Sequence, residues 1–512
     1  MRVLHILPLL FFLIAGCRTK EVAQVPTVDT AQYKEKHRPQ IHFSPPAKWM
    51  NDPNGMVFHN DEYHLFYQYF PDSTVWGPMH WGHAVSKDLV HWTNLPVALY
   101  PDSLGLIFSG SAVVDKNNTS GFGTAANPPM VAIYTYHSEE KEKAGRTDYQ
   151  YQGIAYSTDN GRKWTKYQEN PVLKNQGIKD FRDPKVFWHK ETKKWIMILA
   201  VSDHIELWSS NDLKRWSKLS DFGHQHGGHG GVWECPDLFK LKVEGSEKEK
   251  WVMLVSINPG GPNGGSATQY FTGDFDGKTF RADYAPGVTR WIDHGPDNYA
   301  GVTWSNVPNN RLIFLGWMSN WAYGQEVPTE KWRSANTAPR DLALASVNDT
   351  LHLRSTISPE FLKNAKSPIV IDAQPVQDSL DLSSKAGDVS ISVISATVDA
   401  KDFTIELSNA MGQRLSIGFD NVKNTFIIDR TASGKNIFSS NFFPRSSARR
   451  ISNKPKINVQ IIVDVSSVEV FFDDGLTVMT SLYFPDEKLS RLAFKGSNRI
   501  ENLQILPMSS IW

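Results

Sequence analysis

The chain has 512 residues, 40% of them apolar and 21% charged, with a formal net charge of zero. That length allows two domains with sizeable cores. The balanced charge speaks against a nucleic-acid or anionic-membrane partner, both of which select basic surfaces. The 17 Trp, 16 Tyr and 27 Phe suit either a β-rich core or platforms for stacking sugars.

Residues 1–17 read as a signal peptide. Arg2 supplies a positive end, and the apolar run from Leu4 to Ile14 is too short for an ordinary membrane span. The run ends in Ile14-Ala15-Gly16-Cys17, which resembles the lipobox of bacterial lipoproteins. The resemblance implies that Cys17 becomes a lipidated first residue, so the protein would cross the inner membrane and touch a membrane only through that anchor. "RTKEVAQ" after Cys17 is not an acidic run, which favours the periplasmic side over the outer-membrane surface. Residues 18–38 are polar and aperiodic, as in a tether. Cys235 is the second cysteine, so lipidation of Cys17 would leave no intrachain disulfide.

From 39 to 350 short β-branched and aromatic runs dominate: "YHLFYQYF", "MVAIYTY", "KWIMILAV", "KWVMLVSI", "RLIFLGWM". Turn residues separate them, an all-β pattern. A repeat lies beneath it. "SKDLVHW", "STDNGRKW", "SSNDLKRW" and "TGDFDGKTF" are polar turns closed by Trp92, Trp164, Trp216 and Phe280. The spacing suits four-stranded units packed radially, about five of them, as in a β-propeller. Residues 351–366 would hold a short linker helix. From 367 to 512 strands alternate between Asp-Gly and Asn-rich turns, as in a β-sandwich.

The same repeat locates three acids. Asp52-Pro53, Asp183-Pro184 and Glu234-Cys235-Pro236 each precede an apolar strand. Proline fits the first residue of a strand, where no ladder donor is lost. If these are the innermost strands of their units, all three carboxylates meet at one end of a central channel. Glu234 stands one place further from its proline than the aspartates do, and sequence does not fix its aim. Three carboxylates serve either a metal or glycoside cleavage. Hard cations favour closely spaced oxygens in one loop, and none is evident. Glycoside cleavage pairs an ionised carboxylate with a protonated acid. Asp52 suits the first role, with Asn51 and the amides of Asn54-Gly55 as donors. Glu234 suits the second, with Trp233 and Cys235 lowering local polarity. Arg182 would keep Asp183 charged.

The motifs "WMNDPNG", "FSGSAV", "FRDPKV" and "ECPDL", in that order, resemble family 32 glycoside hydrolases, the invertases, inulinases, levanases and fructan exohydrolases. The resemblance runs on through "GWMSNW", "PRDLAL" and "INVQIIVDVSSVEVFFDDG" and covers nearly the whole mature chain. It implies a five-bladed β-propeller with a β-sandwich and retaining hydrolysis of β-fructofuranosides. Asp52 would be the nucleophile, Glu234 the acid/base and Asp183 the stabiliser of the transition state, with the first two carboxyl groups about 5–5.5 Å apart. Asn51, Gln68, Trp76, Ser109, Arg182 and Trp317 match positions that shape the terminal fructose site. "PRDL" stands where "PREL" is commoner.

The substrate expected is a fructan or sucrose, taken from the chain end. Endo-action on levan, fructosyl transfer, an inverting five-bladed glycosidase and a non-catalytic binding protein are the rivals. No cofactor is expected. "GHQHGGHGG", with His224, His226 and His229, reads as a pocket-rim loop rather than a metal site. "INPGGPNGG" lacks the Lys-Ser/Thr ending of a phosphate loop and reads as a flexible loop near the channel mouth. Cys235 reads as a small buried packing residue.

Overall fold

The computed structural model describes residues 33–496 and 498–512, so Cys17 and most of the tether lie outside the described residues. Strands dominate, and the few helices are one-turn pieces. Five antiparallel sheets come first, each built in chain order from four strands. Their first strands are Lys48–His59, Leu106–Val114, Phe181–His189, Val232–Lys242 and Tyr299–Thr303. Each touches the next, and the fifth touches the first, so the five surround a common hub. Trp332–Arg333 pairs in parallel with Lys48–Trp49 and fastens late chain to the first sheet.

The five apolar runs quoted above are the second strands of the five sheets. They are buried on both faces, which is why they read as continuous rather than alternating. The repeated turns join third to fourth strands in the first four sheets. An aspartate closes each by accepting backbone N–H groups. Asp88 takes those of Val90 and His91 at 3.0 and 2.8 Å, and Asp212 those of Lys214 and Arg215 at 3.0 and 2.9 Å. The aromatics that follow, Trp92, Trp164, Trp216 and Phe280, each pack into a different apolar cluster. The sequence repeat is thus a repeat of turn chemistry plus one packing anchor.

Two boundaries differ from expectation. The last strand of the fifth sheet runs to Ile357, and only Pro359–Leu362 is helical. Residues 33–38 are not tether. Tyr33 stacks on Trp512 with ring centroids 3.8 Å apart, and the buried Arg38 donates to Glu35 and Ser44. Burial of a guanidinium with its donors filled fixes this segment to the body.

The second part of the chain forms a seven-stranded and a six-stranded sheet, with one apolar core between them. Buried charges join it to the five sheets. Arg340, in the fifth sheet, donates to Asp293 at 2.9 Å and to Glu469 of the seven-stranded sheet at 3.0 Å. His42 contacts Asp464 and Glu469, each at 2.8 Å. Asp341, the residue of "PRDL" that departs from the commoner motif, lies apart, paired with Arg311 at 2.8 Å.

Burial pulls the His42 pKa down, but its two carboxylate partners outweigh that and hold it near 9, above the ordinary 6.5. A histidine raised on folding stabilises fully below its unfolded pKa and loses that contribution as pH rises through the folded one. Thermal unfolding followed from pH 6.5 to 10 should show stability falling through about pH 9, and His42→Gln should flatten that fall.

Candidate active site

Each of the five inner strands carries a register shift against its neighbour near its start. The shifts fall between Met50 and Pro53, Ile107 and Gly110, Arg182 and Lys185, Glu234 and Asp237, and Tyr299 and Val302. A bulge bends the strand and re-aims side chains that would otherwise alternate. The acids therefore lie within strands, not ahead of them. Pro184 and Pro236 sit inside the bulges, where no ladder donor is required of them. Asp183 and Cys235 have left-handed backbones, with φ of +64° and +45°.

This geometry explains the offset of Glu234. Arg182 and Glu234 are each the last paired residue before their bulge, opposite Ala200 and Ser256. Asp183 and Cys235 follow, both left-handed, and a proline comes next in both strands. Cys235 thus takes the place in the fourth sheet that Asp183 takes in the third. Glu234 takes the place of Arg182, and the two meet across the seam.

Asp52 is buried. Its carboxylate accepts Asn51 Nδ2 at 3.0 Å and Ser109 Oγ at 2.8 Å, and the Cys235 thiol lies 3.5 Å away. The donors are these side chains and not the Asn54-Gly55 amides, because that segment continues as strand. Asp183 accepts the Cys235 N–H at 3.0 Å, and its own N–H donates to Thr135 Oγ1 at 2.9 Å. The Cys235 sulfur is also 3.6 Å from Asp183. Cys235 is buried as expected and belongs to an apolar cluster, and its sulfur also lies between two of the acids.

Glu234 accepts from Arg182 Nη2 at 2.9 Å and Nε at 3.2 Å on one oxygen, and from the Tyr299 hydroxyl on the other. Arg182 turns to Glu234 and, at 2.7 Å, to Asp180; it does not bond to Asp183. Trp233 faces away from Glu234, its indole N–H donating to the Gly228 carbonyl at 2.9 Å. Alternation along the strand puts it in a neighbouring apolar cluster.

Three carboxylates in one dry space resist ionising together. Burial, and then the charge of Glu234, push the Asp52 pKa up. Burial pushes Asp183 up to about 7; Arg182 works against this, and Glu234 and Asp52 add to it. A carboxyl raised on folding costs stability once it must ionise. Asp183→Asn should therefore match the wild type in stability near its unfolded pKa of 3.8 and surpass it increasingly as pH rises through about 7. Calorimetry across that range checks the sign.

The remaining predicted residues divide. Asn51, Ser109 and Arg182 touch an acid directly. Trp317 is buried edge-on to Tyr299, centroids 6.4 Å apart, and to Trp49 at 6.0 Å. Trp76 is partly exposed and edge-on to Phe108, the residue before Ser109, at 6.1 Å. Gln68 is buried, and its amide nitrogen has no partner among the described residues. Gln68 and Trp76 bond to none of the three acids.

Among the described residues, the histidine-rich loop gathers no metal set. His224 stacks on His204 at 4.2 Å, and His229 bonds Asp203 at 3.1 Å. His204, Glu206 and Asp221 do converge, but the Lys218 ammonium already stands there, 2.6 Å from Glu206 and 2.8 Å from Asp221. The "INPGGPNGG" loop docks on the second part of the chain. Asn263 exchanges two 2.9 Å bonds with Ser447, and Gly264, at φ +92°, lets Phe443 approach where a Cβ would stand 2.7 Å from the ring.

Residues 42–355 match the model of the glycosyl hydrolases family 32 N-terminal domain, and residues 359–507 match that of the family 32 C-terminal domain. The chain belongs to glycosyl hydrolase family 32. It is 46% identical over 499 residues to a levanase of Bacillus subtilis, covering 94% of this chain and 72% of that one. It is 40% identical over 500 residues to the extracellular exo-inulinase inuE of Aspergillus niger, covering 91% and 93%. The crystal structure of exo-inulinase from Aspergillus awamori superimposes with a TM-score of 0.84 at 35% identity, over 94% of this chain and all of that one.

Within this family 32 chain, sequence reasoning passed over Tyr299, Thr135 and the contact of Cys235 with two acids. Tyr299 stands in "PDNYAGV", where proline precedes acid and both lie ahead of the tyrosine, so the acid-then-proline order of the three acid-bearing strands does not flag it. Its signal is positional, as the inward residue at the bulge of the fifth inner strand.

Proposed function

We propose that this protein is a retaining, exo-acting β-fructofuranosidase that releases terminal fructose from fructans such as levan and inulin, and from sucrose. One observation carries the reading. Five strands, each bulged at the same level, bring Asp52, Ser109, Asp183, Glu234 and Tyr299 to the hub. The five sheets serve as blades of a propeller, and the two later sheets as an appended sandwich. The chemistry named for the relatives fits that site.

Asp52 attacks the anomeric carbon of the terminal fructosyl unit. Glu234 gives its proton to the leaving oxygen, and the C2–O bond breaks. A covalent ester to Asp52 remains. Glu234 then takes a proton from water, which attacks the same carbon and frees fructose and the Asp52 carboxylate. Asp183 faces the sugar and stabilises positive charge as it develops on the ring. Ser109 and Asn51 hold the Asp52 carboxylate by one bond each, which fixes the attacking oxygen. Arg182 and Tyr299 hold Glu234 in the same way. Gln68, Trp76 and Trp317 complete the binding surface for the terminal sugar.

Sizing of early products on sucrose, inulin and levan tests this proposal. Fructose alone is expected, and a ladder of oligosaccharides would refute exo-action. NMR of the first-formed anomer tests retention. Glu234→Gln should lower turnover by about 10²–10⁴-fold while fructose binding persists; unchanged turnover would remove Glu234 from the mechanism. Secretion and a lipid anchor at Cys17 belong to the same proposal, supported by the lipobox-like segment and by relatives named as extracellular. Mass spectrometry of the mature N-terminus checks the anchor.

A further inference from the structure

Just past the acids, a second set of polar side chains crosses the seams between the inner strands. Lys185 and Asp237 stand at matching places, each directly after the proline of its bulge. Lys185 Nζ donates to Asp237 Oδ2 at 2.9 Å and to the Thr303 carbonyl at 2.6 Å. The same Asp237 oxygen accepts the Thr303 N–H at 2.7 Å and its hydroxyl at 2.8 Å. These bonds join the third, fourth and fifth sheets. Ser111 Oγ donates to the Pro184 carbonyl at 2.9 Å and accepts the Val186 N–H at 3.0 Å, which joins the second to the third. The Ser305 hydroxyl is shared between the carbonyls of Ala112 at 2.7 Å and Met56 at 3.2 Å, closing the circle through the fifth, second and first. Lys185, Asp237, Ser111 and Thr303 are all more than nine-tenths buried.

Packing alone does not require this arrangement. Apolar side chains would fill the same seam without desolvating two charges. Directional bonds supply what apolar contact lacks, a fixed displacement between strands. The bonds also fall where they matter. Lys185 is two residues from Asp183, Asp237 three from Glu234, and Thr303 four from Tyr299. Two ion pairs therefore cross the seam between third and fourth sheets, Arg182–Glu234 before the bulge and Lys185–Asp237 after it. A slip at the lower pair would move both Asp183 and Glu234.

We propose that Lys185 and Asp237, with Ser111 and Thr303, are positioning residues: their bonds across the seams set the aim of Asp183, Glu234 and Tyr299. The proposal rests on the reading of those acids as catalytic. Lys185→Met, Asp237→Asn, Ser111→Ala and Thr303→Val should lower kcat on sucrose or inulin by about 10–100-fold, with KM within about twofold, because a small misplacement of a reacting group slows chemistry without weakening binding. Thr303→Ser keeps the hydroxyl and should restore kcat. Ser111→Ala and Thr303→Val remove hydroxyl bonds but no charged group, so they remain testable where a charge-removing variant does not fold. Folded variants with wild-type kcat and only a lowered melting temperature would overturn the proposal. A crystal structure of Thr303→Val gives an answer independent of substrate. Displaced Asp183 and Glu234 carboxyl groups support positioning, and unmoved ones refute it, even if the wild type hydrolysed no fructan and the parent reading failed.

Discussion

Asp52→Asn should reduce turnover of sucrose, inulin and levan by about 10⁴-fold or more, the scale seen when a covalent nucleophile is removed. The amide has nearly the shape of the carboxylate, so Asn51 and Ser109 keep a partner on one side. Under the proposed mechanism, what disappears is the oxygen nucleophile and its charge. Stability should move the other way. Burial and the neighbouring Glu234 raise the Asp52 pKa, so the folded protein carries a cost for ionising that carboxyl. A neutral side chain removes the cost, and the melting temperature at pH 7 to 8 should hold or rise. Opposite signs for activity and stability separate loss of a reacting group from loss of fold. Retention of more than about 1% of turnover would take the nucleophilic role from Asp52.

Arg340→Met should produce the largest loss of stability, about 3–5 kcal/mol, because it strips a cation from a buried ionic set. Arg340 is fully buried and donates to Asp293, Glu469 and the Thr480 hydroxyl, at 2.7 Å for the last. Its presence holds the Glu469 carboxyl below the usual range even though burial works to raise it. Without the guanidinium, Asp293 loses its only cation partner among the described residues, and Glu469 keeps His42 and the Ala338 N–H. Arg340→Lys should recover little of the loss, since one ammonium cannot span three acceptors in different directions. Urea denaturation measures the loss. Turnover per folded molecule at low temperature should remain near wild type, since Arg340 acts at the seam with the second part of the chain and bonds to none of the three acids.

Much of this was legible in the sequence for physical reasons. Turns closed by an aspartate and an aromatic are local devices, so their repetition exposed the repeated sheets. The acids were legible because a proline marks each bulge and the motifs around them are dense. The seam network was less so. Arg340 stands in a quoted motif, but its partners Asp293 and Glu469 lie 47 and 129 residues away, and no local pattern announces such pairs. Residues 33–38 read as tether because polar composition alone does not reveal a docking partner; their partner Trp512 is at the far end of the chain.

By itself, the sequence determined the all-β class, the repeated unit, the three carboxylates and the family. Tertiary structure decided the aim of each side chain. A bulge shifts register by one residue and reverses which way the next side chain points, so Arg182 was free to face either Asp183 or Glu234 until the bulges were in place. It faces Glu234, and Cys235, not a third aspartate, occupies the position matching Asp183. Tyr299 joined the site only when the fifth sheet packed against the fourth, which sets its hydroxyl on Glu234, 65 residues earlier in the chain.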